Sequence, residues 1–413
     1  MTTLDAFTIS TNIVKMVIKK MDNIRIPQRK FLVHLFPLLL GIRGRVNFLQ
    51  MERYGQYSER TYRDQFDKKF DYATFNSILI DKYCSPDRII AFDPSYINKS
   101  GKKTEGLGYF YSGGERKYKR GLEIGCLAVI DLTQNTAYHL SAIQSPPKAS
   151  KIKDSHQHTL IDFYAEIIRS QSALLLKHSS ILSVDGFFAK KKFINTCHQS
   201  GFTVVSRLRA DADLKYIYNG VKKAGRGRPR IHDGKIDLDN IDHRRIKLVY
   251  EDDQMSIKSG IVYSVGLKRN IRLCITTYKN DKGIVSKPIY HFSTDINMDS
   301  LKIVNCYKSR FQIEFMIRDA KQHAGLEHCQ SVSAQKLDTH FNSSLTAVSV
   351  AKAVIRQRHG TDEEVILSIN DIKTEIHNRM LAELIFSIYG IDRKLIKNTT
   401  NFQKILDFGK IAA

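Results

Sequence analysis

Residues 305–323, Asn305-Cys-Tyr307-Lys-Ser-Arg310-Phe-Gln-Ile-Glu314-Phe-Met-Ile-Arg-Asp-Ala-Lys321-Gln-His323, decide how the rest of the chain is read. The stretch predicts one helix in which Tyr307, Arg310, Glu314 and Lys321 are separated by two, three and six residues. At ~100° per residue these four side chains fall within an arc of about 60°. Ile313, Ile317, Ala320 and Ala324 occupy the neighbouring arc and would seat the helix on a core. One acid flanked by two cations and a phenol, spread over ~21 Å of helix, suits a negatively charged polymer held beside a metal-ligating carboxylate. The same stripe also fits a solvated face with Arg310–Glu314 as an i,i+4 ion pair, so its meaning rests on the surroundings.

Composition narrows the partners. The chain has 413 residues and a formal net charge of +23. That length allows two or three domains, and that charge favours a polyanion, nucleic acid before membrane. The best apolar run, Phe31 to Ile42, is too short to span a bilayer and contains Pro37. The N-terminus lacks a charged region followed by an apolar stretch, so no signal peptide is expected. Six cysteines stand without any CxxC pair and read as reduced, buried small residues. A cytoplasmic protein is the expectation.

Residues 1–85 read as a basic helical region that meets DNA, with Ser58 as an N-cap and Arg60 and Arg63 on the following helix. The pattern changes at Arg88-Ile-Ile-Ala-Phe92, a short buried strand that delivers Asp93. Leu122–Leu132 and Thr136–Ile143 predict an antiparallel pair, and residues 156–177 an amphipathic helix. Ser180–Val184 is a further strand, ending at Asp185; a helix over 187–199 and a strand over 202–208 follow. Residues 212–286 read as a β-rich insertion, 287–295 as a returning strand, and 331–413 as a helical C-terminal region. The fold class is therefore α/β. Three strands, then helix, strand, helix, strand, is the order of a ribonuclease-H-like core, here assigned to 86–211 and 287–330.

Asp93 and Asp185 each close an apolar strand, where a side chain leaves the core for a cleft. Each also begins a common turn dipeptide, Asp-Pro or Asp-Gly, so neither acid speaks alone. Together with Glu314 they form a set able to hold two Mg²⁺ ions through oxygen ligands, the arrangement used for phosphoryl displacement.

Tyr307, Arg310, Glu314 and Lys321 resemble the YREK signature of the DDE transposases of bacterial insertion sequences, the group containing the cut-and-paste Tn-five enzyme. Asp93 within AFDPSYI and Asp185 within LSVDGFF resemble that family's first two acidic motifs, over roughly residues 85–330. The resemblance implies that Asp93, Asp185 and Glu314 bind two Mg²⁺ or Mn²⁺ ions and that Tyr307, Arg310 and Lys321 contact phosphates. It implies cleavage of transposon ends, passage through a DNA hairpin, strand transfer into target DNA, a homodimer bridging two terminal inverted repeats, and a nucleoid-associated bacterial location.

Family members carry Trp after the Arg, whereas this chain has Phe311 and no Trp anywhere. Phe311 can stack on an extruded base, with less area than Trp, or pack as a buried residue. Gly225-Arg226-Gly-Arg228-Pro-Arg230 resembles an AT-hook core that enters a narrow minor groove and fits equally a basic loop that meets phosphates without reading sequence; Lys190 opens a basic run suited to a phosphate backbone or to a solvated helix face. Asp154, His156 and His158 read as a helix cap and its first turn. Two rival functions are a catalytically inactive or domesticated DNA-binding relative and a structure-specific nuclease on the same core.

Overall fold

The computed structural model describes residues 4–147, 159–220, 229–280, 282–360, 368–392, 396 and 399–411. Asp154, His156, His158, Arg226 and Arg228 lie outside the described residues. The chain divides into two compact units, Met1–Arg88 with Pro94–Lys151 and Gln312–Ala413, and Ile89–Asp93 with Ile152–Phe311.

The first unit begins with α1 (Ala6–Lys19), α2 (Ile26–Gly41), α3 (Phe48–Tyr54), α4 (Glu59–Phe66) and α5 (Tyr72–Tyr83). Asp5, Asn47, Ser58 and Asp71 cap four of these by accepting a backbone N–H from the first turn. The strand β1 (Arg88–Asn98) runs through Asp93-Pro94 and well past the expected end, so its two halves serve different units. Beyond it come β2 (Gly108–Ser112), β3 (Lys117–Asp131) and β4 (Thr136–Gln144). The long β3 pairs with β2 over Lys117–Gly121 and with β4 over Ile124–Asp131, both antiparallel. The helix α11 (Ala334–His359) is buried on nearly every side by α1, α2, α5, β4 and α12 (Ile369–Tyr389), and a last helix, α13 (Thr400–Asp407), packs on α12. An interior helix needs small or internally satisfied residues. Asn342 duly bonds the Ala142 amide and carbonyl, and the Lys352 ammonium donates to the Ala137 carbonyl at 2.8 Å.

The second unit contains α6 (Leu160–Ser170), α7 (Ser172–Leu175), β5 (Ile181–Val184), a 3-10 turn over Gly186–Phe188, α8 (Lys191–Gln199) and β6 (Thr203–Leu208). Next are β7 (Leu214–Ile217), β8 (His232–Lys235), β9 (Lys247–Glu251), β10 (Met255–Ser264), β11 (Arg269–Tyr278), β12 (Ile289–Ser293) and α9 (Ser300–Ser309). The strand order is β1-β5-β6-β12-β11-β10-β7-β8, with β9 also on β10. The β1-β5-β6 pairs are parallel, and from β6 to β8 every pair is antiparallel. The strands of the expected insertion thus extend the same sheet through β12.

The expectation of one helix over 305–323 is corrected. The helix α9 stops at Ser309 and α10 (Gln312–His323) starts afresh. Arg310 stays near helical geometry at φ −48°, ψ −35°, but the Phe311 amide turns back to the Lys308 carbonyl three residues away. That tightening replaces the regular four-residue spacing. Each segment then buries its apolar side in its own unit, α9 on β5, β6, β10, β11 and β12, and α10 on β3, β4, α11 and α12. The four spaced residues therefore do not share one face of one helix. Among the described residues no helix is long and apolar enough to cross a membrane.

Candidate active site

The paired strands of the second unit bring two acids together. Between β1 and β5 the parallel register runs Ile90–Leu182, Ala91–Ser183 and Phe92–Val184. One residue beyond that register stand Asp93, within β1, and Asp185, just past the end of β5, on neighbouring strands spaced about 4.8 Å apart. Side chains alternate along a strand, so the buried Phe92 and Val184 point to one side and the two acids to the other. Phe92 anchors this end: its ring lies 5.4 Å from Tyr164 and 5.5 Å from Phe188, and Phe188 packs on Phe193 at 4.9 Å.

α9 and β6 supply the counter-charges. The α9 helix is tied to the strand end by the Ser183 hydroxyl, which donates to the Cys306 carbonyl at 3.2 Å. From that helix Tyr307 donates its hydroxyl to Asp185 Oδ1 at 3.2 Å, and the Arg310 guanidinium stands 3.6 Å from Asp93. The Arg310 side chain is only 9% exposed and lies over the Tyr307 ring at 5.7 Å. Arg207 on β6 approaches Asp185 Oδ1 to 3.5 Å.

Burial acts to raise the Asp185 carboxyl. The Gly186 N–H, Arg207, Arg310 and Tyr307 outweigh it and hold the group below its ordinary value. Tyr307 moves the opposite way: burial and the Asp185 charge push its phenol up to about 12, so it remains a donor. His291 on β12 stacks near Tyr307 at 4.9 Å, and burial with Lys308 and Arg207 pushes it down to about 4. Its neutral ring adds no charge.

A cleft of ≈ 900 Å³ opens beside Asp185, lined in part by Phe187, Lys190, Arg207, Arg209 and Tyr290. The Lys190 ammonium rests 4.0 Å from the centre of the exposed Phe187 ring. The combination of a carboxylate pair, surrounding cations and an open aromatic wall fits a phosphodiester polymer.

A family model described as a transposase DDE domain matches residues 85–349, more than half of the chain. The chain belongs to the DDE transposase family. No curated protein matches it. In this transposase the matched span includes Asp93, Asp185 and Glu314.

Glu314 occupies the first turn of α10, in the first unit. Lys321, further along that helix, donates to the Tyr96 carbonyl at 2.7 Å and pairs with Glu327 at 3.0 Å. Phe311 is exposed at the break between the two helices. Arg230 pairs with Asp233 at 2.6 Å and lies 5.3 Å from the Tyr218 ring centre. Among the described residues no group of three or more His, Cys, Asp or Glu is gathered closely enough to hold a metal; the register brings together two of the expected acids, Asp93 and Asp185. All six cysteines are buried and outside any disulfide.

Arg207 and His291 escaped the sequence reading. A single cation near the end of β6 carries no spacing pattern. The one available signal was its position at the carboxyl end of a strand parallel to β5, where α/β sheets bind ligands.

Proposed function

We propose that this DDE transposase cleaves transposon ends and joins them to target DNA by metal-dependent phosphoryl transfer on a ribonuclease-H-like core. Asp93, where β1 outruns β5, and Asp185, just past the end of β5, standing on neighbouring parallel strands is the observation that carries the reading. Glu314 is assigned as the third carboxylate on its place in the sequence pattern.

The donor set suits a hard divalent ion such as Mg²⁺ or Mn²⁺. Asp185 meets its cationic partner at 3.5 Å and the Tyr307 hydroxyl at 3.2 Å, longer than the about 2.7–2.9 Å of a tight charge-assisted bond. Its oxygens are charge-balanced and still able to accept a metal. With two such ions bound, the site would gain activation of the attacking oxygen and stabilisation of the leaving one.

The protein's own groups do the rest. Tyr307, protonated at neutral pH, orients Asp185 while leaving it ionised. Arg310 and Arg207 offset the carboxylate charge that would otherwise repel DNA, and both can turn to phosphate oxygens as the strand enters. Lys190 extends that cationic path, and Lys321 is assigned a phosphate contact on its place in the sequence pattern. Phe311 is assigned to stack on a base displaced during hairpin formation, and Arg226, Arg228 and Arg230 to flanking DNA. A homodimer would bring two terminal repeats together in a cut-and-paste reaction of the Tn-five type.

The test is incubation of the purified chain with labelled transposon-end DNA, target plasmid and Mg²⁺. Cleavage followed by joined product is expected. Binding without cleavage would overturn the catalytic reading in favour of an inactive relative, and cleavage without joining would leave a structure-specific nuclease.

A further inference from the structure

The β2–β3 hairpin of the first unit presents a largely exposed aromatic face. Tyr109 and Tyr111 lie two residues apart on β2 and so share one side of the ribbon. The antiparallel register sets Tyr111 opposite Tyr118 and Tyr109 opposite Arg120, which places a third tyrosine and a guanidinium on that side. The Tyr111 and Tyr118 rings are 5.7 Å apart at 69°. The three tyrosines are 64%, 50% and 58% exposed, whereas Phe110, pointing the other way, is 3% exposed. The ribbon is thus anchored by its opposite face, and folding does not account for three outward phenols.

Charge identifies the occupant. Between Lys102 and Arg120 there are six cations (Lys102, Lys103, Arg116, Lys117, Lys119, Arg120) and two acids (Glu105, Glu115), a local balance of +4. Glu115 is engaged by Lys117 and Lys119. On the ribbon Arg120 shares the tyrosine side, while Lys117 and Lys119 stand on the Phe110 side. Flat aromatic faces beside a guanidinium in a basic segment are the chemistry of stacking platforms for unpaired bases, where cations follow the backbone and rings take the bases. Paired bases in a duplex are already stacked and offer these rings no face.

We infer that Tyr109, Tyr111 and Tyr118 form a platform for single-stranded DNA, distinct from the Asp93–Asp185 pair. The inference rests on the chain acting on DNA and not on its catalytic reading. The platform would hold two or three unpaired bases, such as a strand end freed by cutting.

The experiment is fluorescence anisotropy with the full chain, using a labelled single-stranded oligonucleotide and a duplex of equal length, with end cleavage assayed in parallel. Replacing all three tyrosines by serine should weaken single-strand binding about tenfold or more and change duplex binding less than about twofold. The triple phenylalanine variant should bind the single strand like wild type, and circular dichroism should show both variants folded. Unchanged single-strand affinity in the serine variant would overturn the platform. So would an equal loss on duplex, which would mark a surface reading only phosphate charge, or a dimer lost on substitution with single-strand binding intact. Absence of cleavage by wild type would count against the catalytic reading alone.

Discussion

Glu375 and Asp185 are both carboxylates placed among cations, and the protein treats them in opposite ways. Glu375, on α12 in the first unit, is 1% exposed. It meets Arg358 at 2.5 Å, Lys410 at 2.6 Å and the Ala6 amide at 2.6 Å. Asp185 is 33% exposed and held at 3.2 and 3.5 Å. Burial raises and these partners lower both groups, and both end below the ordinary carboxylate value. Only Glu375 has short bonds that close its oxygens off. The difference separates a charge that ties helices together from one kept ionised and open to a ligand.

Substitution should split the two most sharply. Asp93→Asn or Asp185→Asn should slow strand cleavage at least about a thousandfold, about 4 kcal/mol of barrier, with DNA affinity in gel shifts largely kept. Retained cutting by either variant would remove that residue from the site. Glu375→Ala should instead cost about 3 kcal/mol of stability, because it removes the buried carboxylate that pairs the half-buried Arg358 and Lys410. Urea unfolding would show it, and a shift below about 1 kcal/mol would erase the contrast.

The sequence conveyed this contrast unevenly. The apolar strand segments leading into Asp93 and Asp185 were legible because apolar runs stop abruptly at an acid, and the capped helix α4 because Ser58 stands where a cap is needed. The break at Arg310-Phe311 was not, since neither Gly nor Pro marks it and the apolar spacing continues across it. The β2 strand hid in a Gly-rich basic stretch, and the run of β1 beyond Asp93 was masked by Pro94, which ordinarily argues against a strand interior. The Glu375 cluster joins residues up to 369 positions apart, beyond any local pattern.

Acid should act on the fold before it reaches either carboxylate. His139 and His340 in the first unit and His291 in the second are pushed by burial, the leading cause in each, to about 4. An unfolded histidine takes its proton near pH ~6.5. Between about 6.5 and 4 the unfolded chain therefore binds protons that the native one does not, and stability falls as pH drops through that window. The depressed Glu375 and Asp185 extend the loss below it, since their contribution is present above the unfolded carboxylate value and vanishes as pH falls through the folded one. Thermal melts at stepped pH should show the decline starting near 6.5. A flat melting temperature down to pH 4 would contradict it.

Tyr307→Phe gives the smallest and most diagnostic effect. Loss of one hydrogen bond, worth about 0.5–1.5 kcal/mol, should slow cleavage about three- to tenfold. It should also shift the acid limb of the rate profile upward, because Asp185 loses a stabilising donor. A slower enzyme with an unmoved limb would mean that the phenol serves packing alone.

Fe²⁺-directed backbone cleavage tests the central claim most directly. Iron taken into a divalent site with ascorbate and peroxide cuts the chain beside its ligands, independently of DNA chemistry. Mass spectrometry should find breaks next to Asp93 and Asp185, competed away by Mg²⁺ and absent from the Asp93→Asn, Asp185→Asn double variant. Breaks that persist in that variant, or that spare both Asp93 and Asp185, would contradict a metal held by this pair.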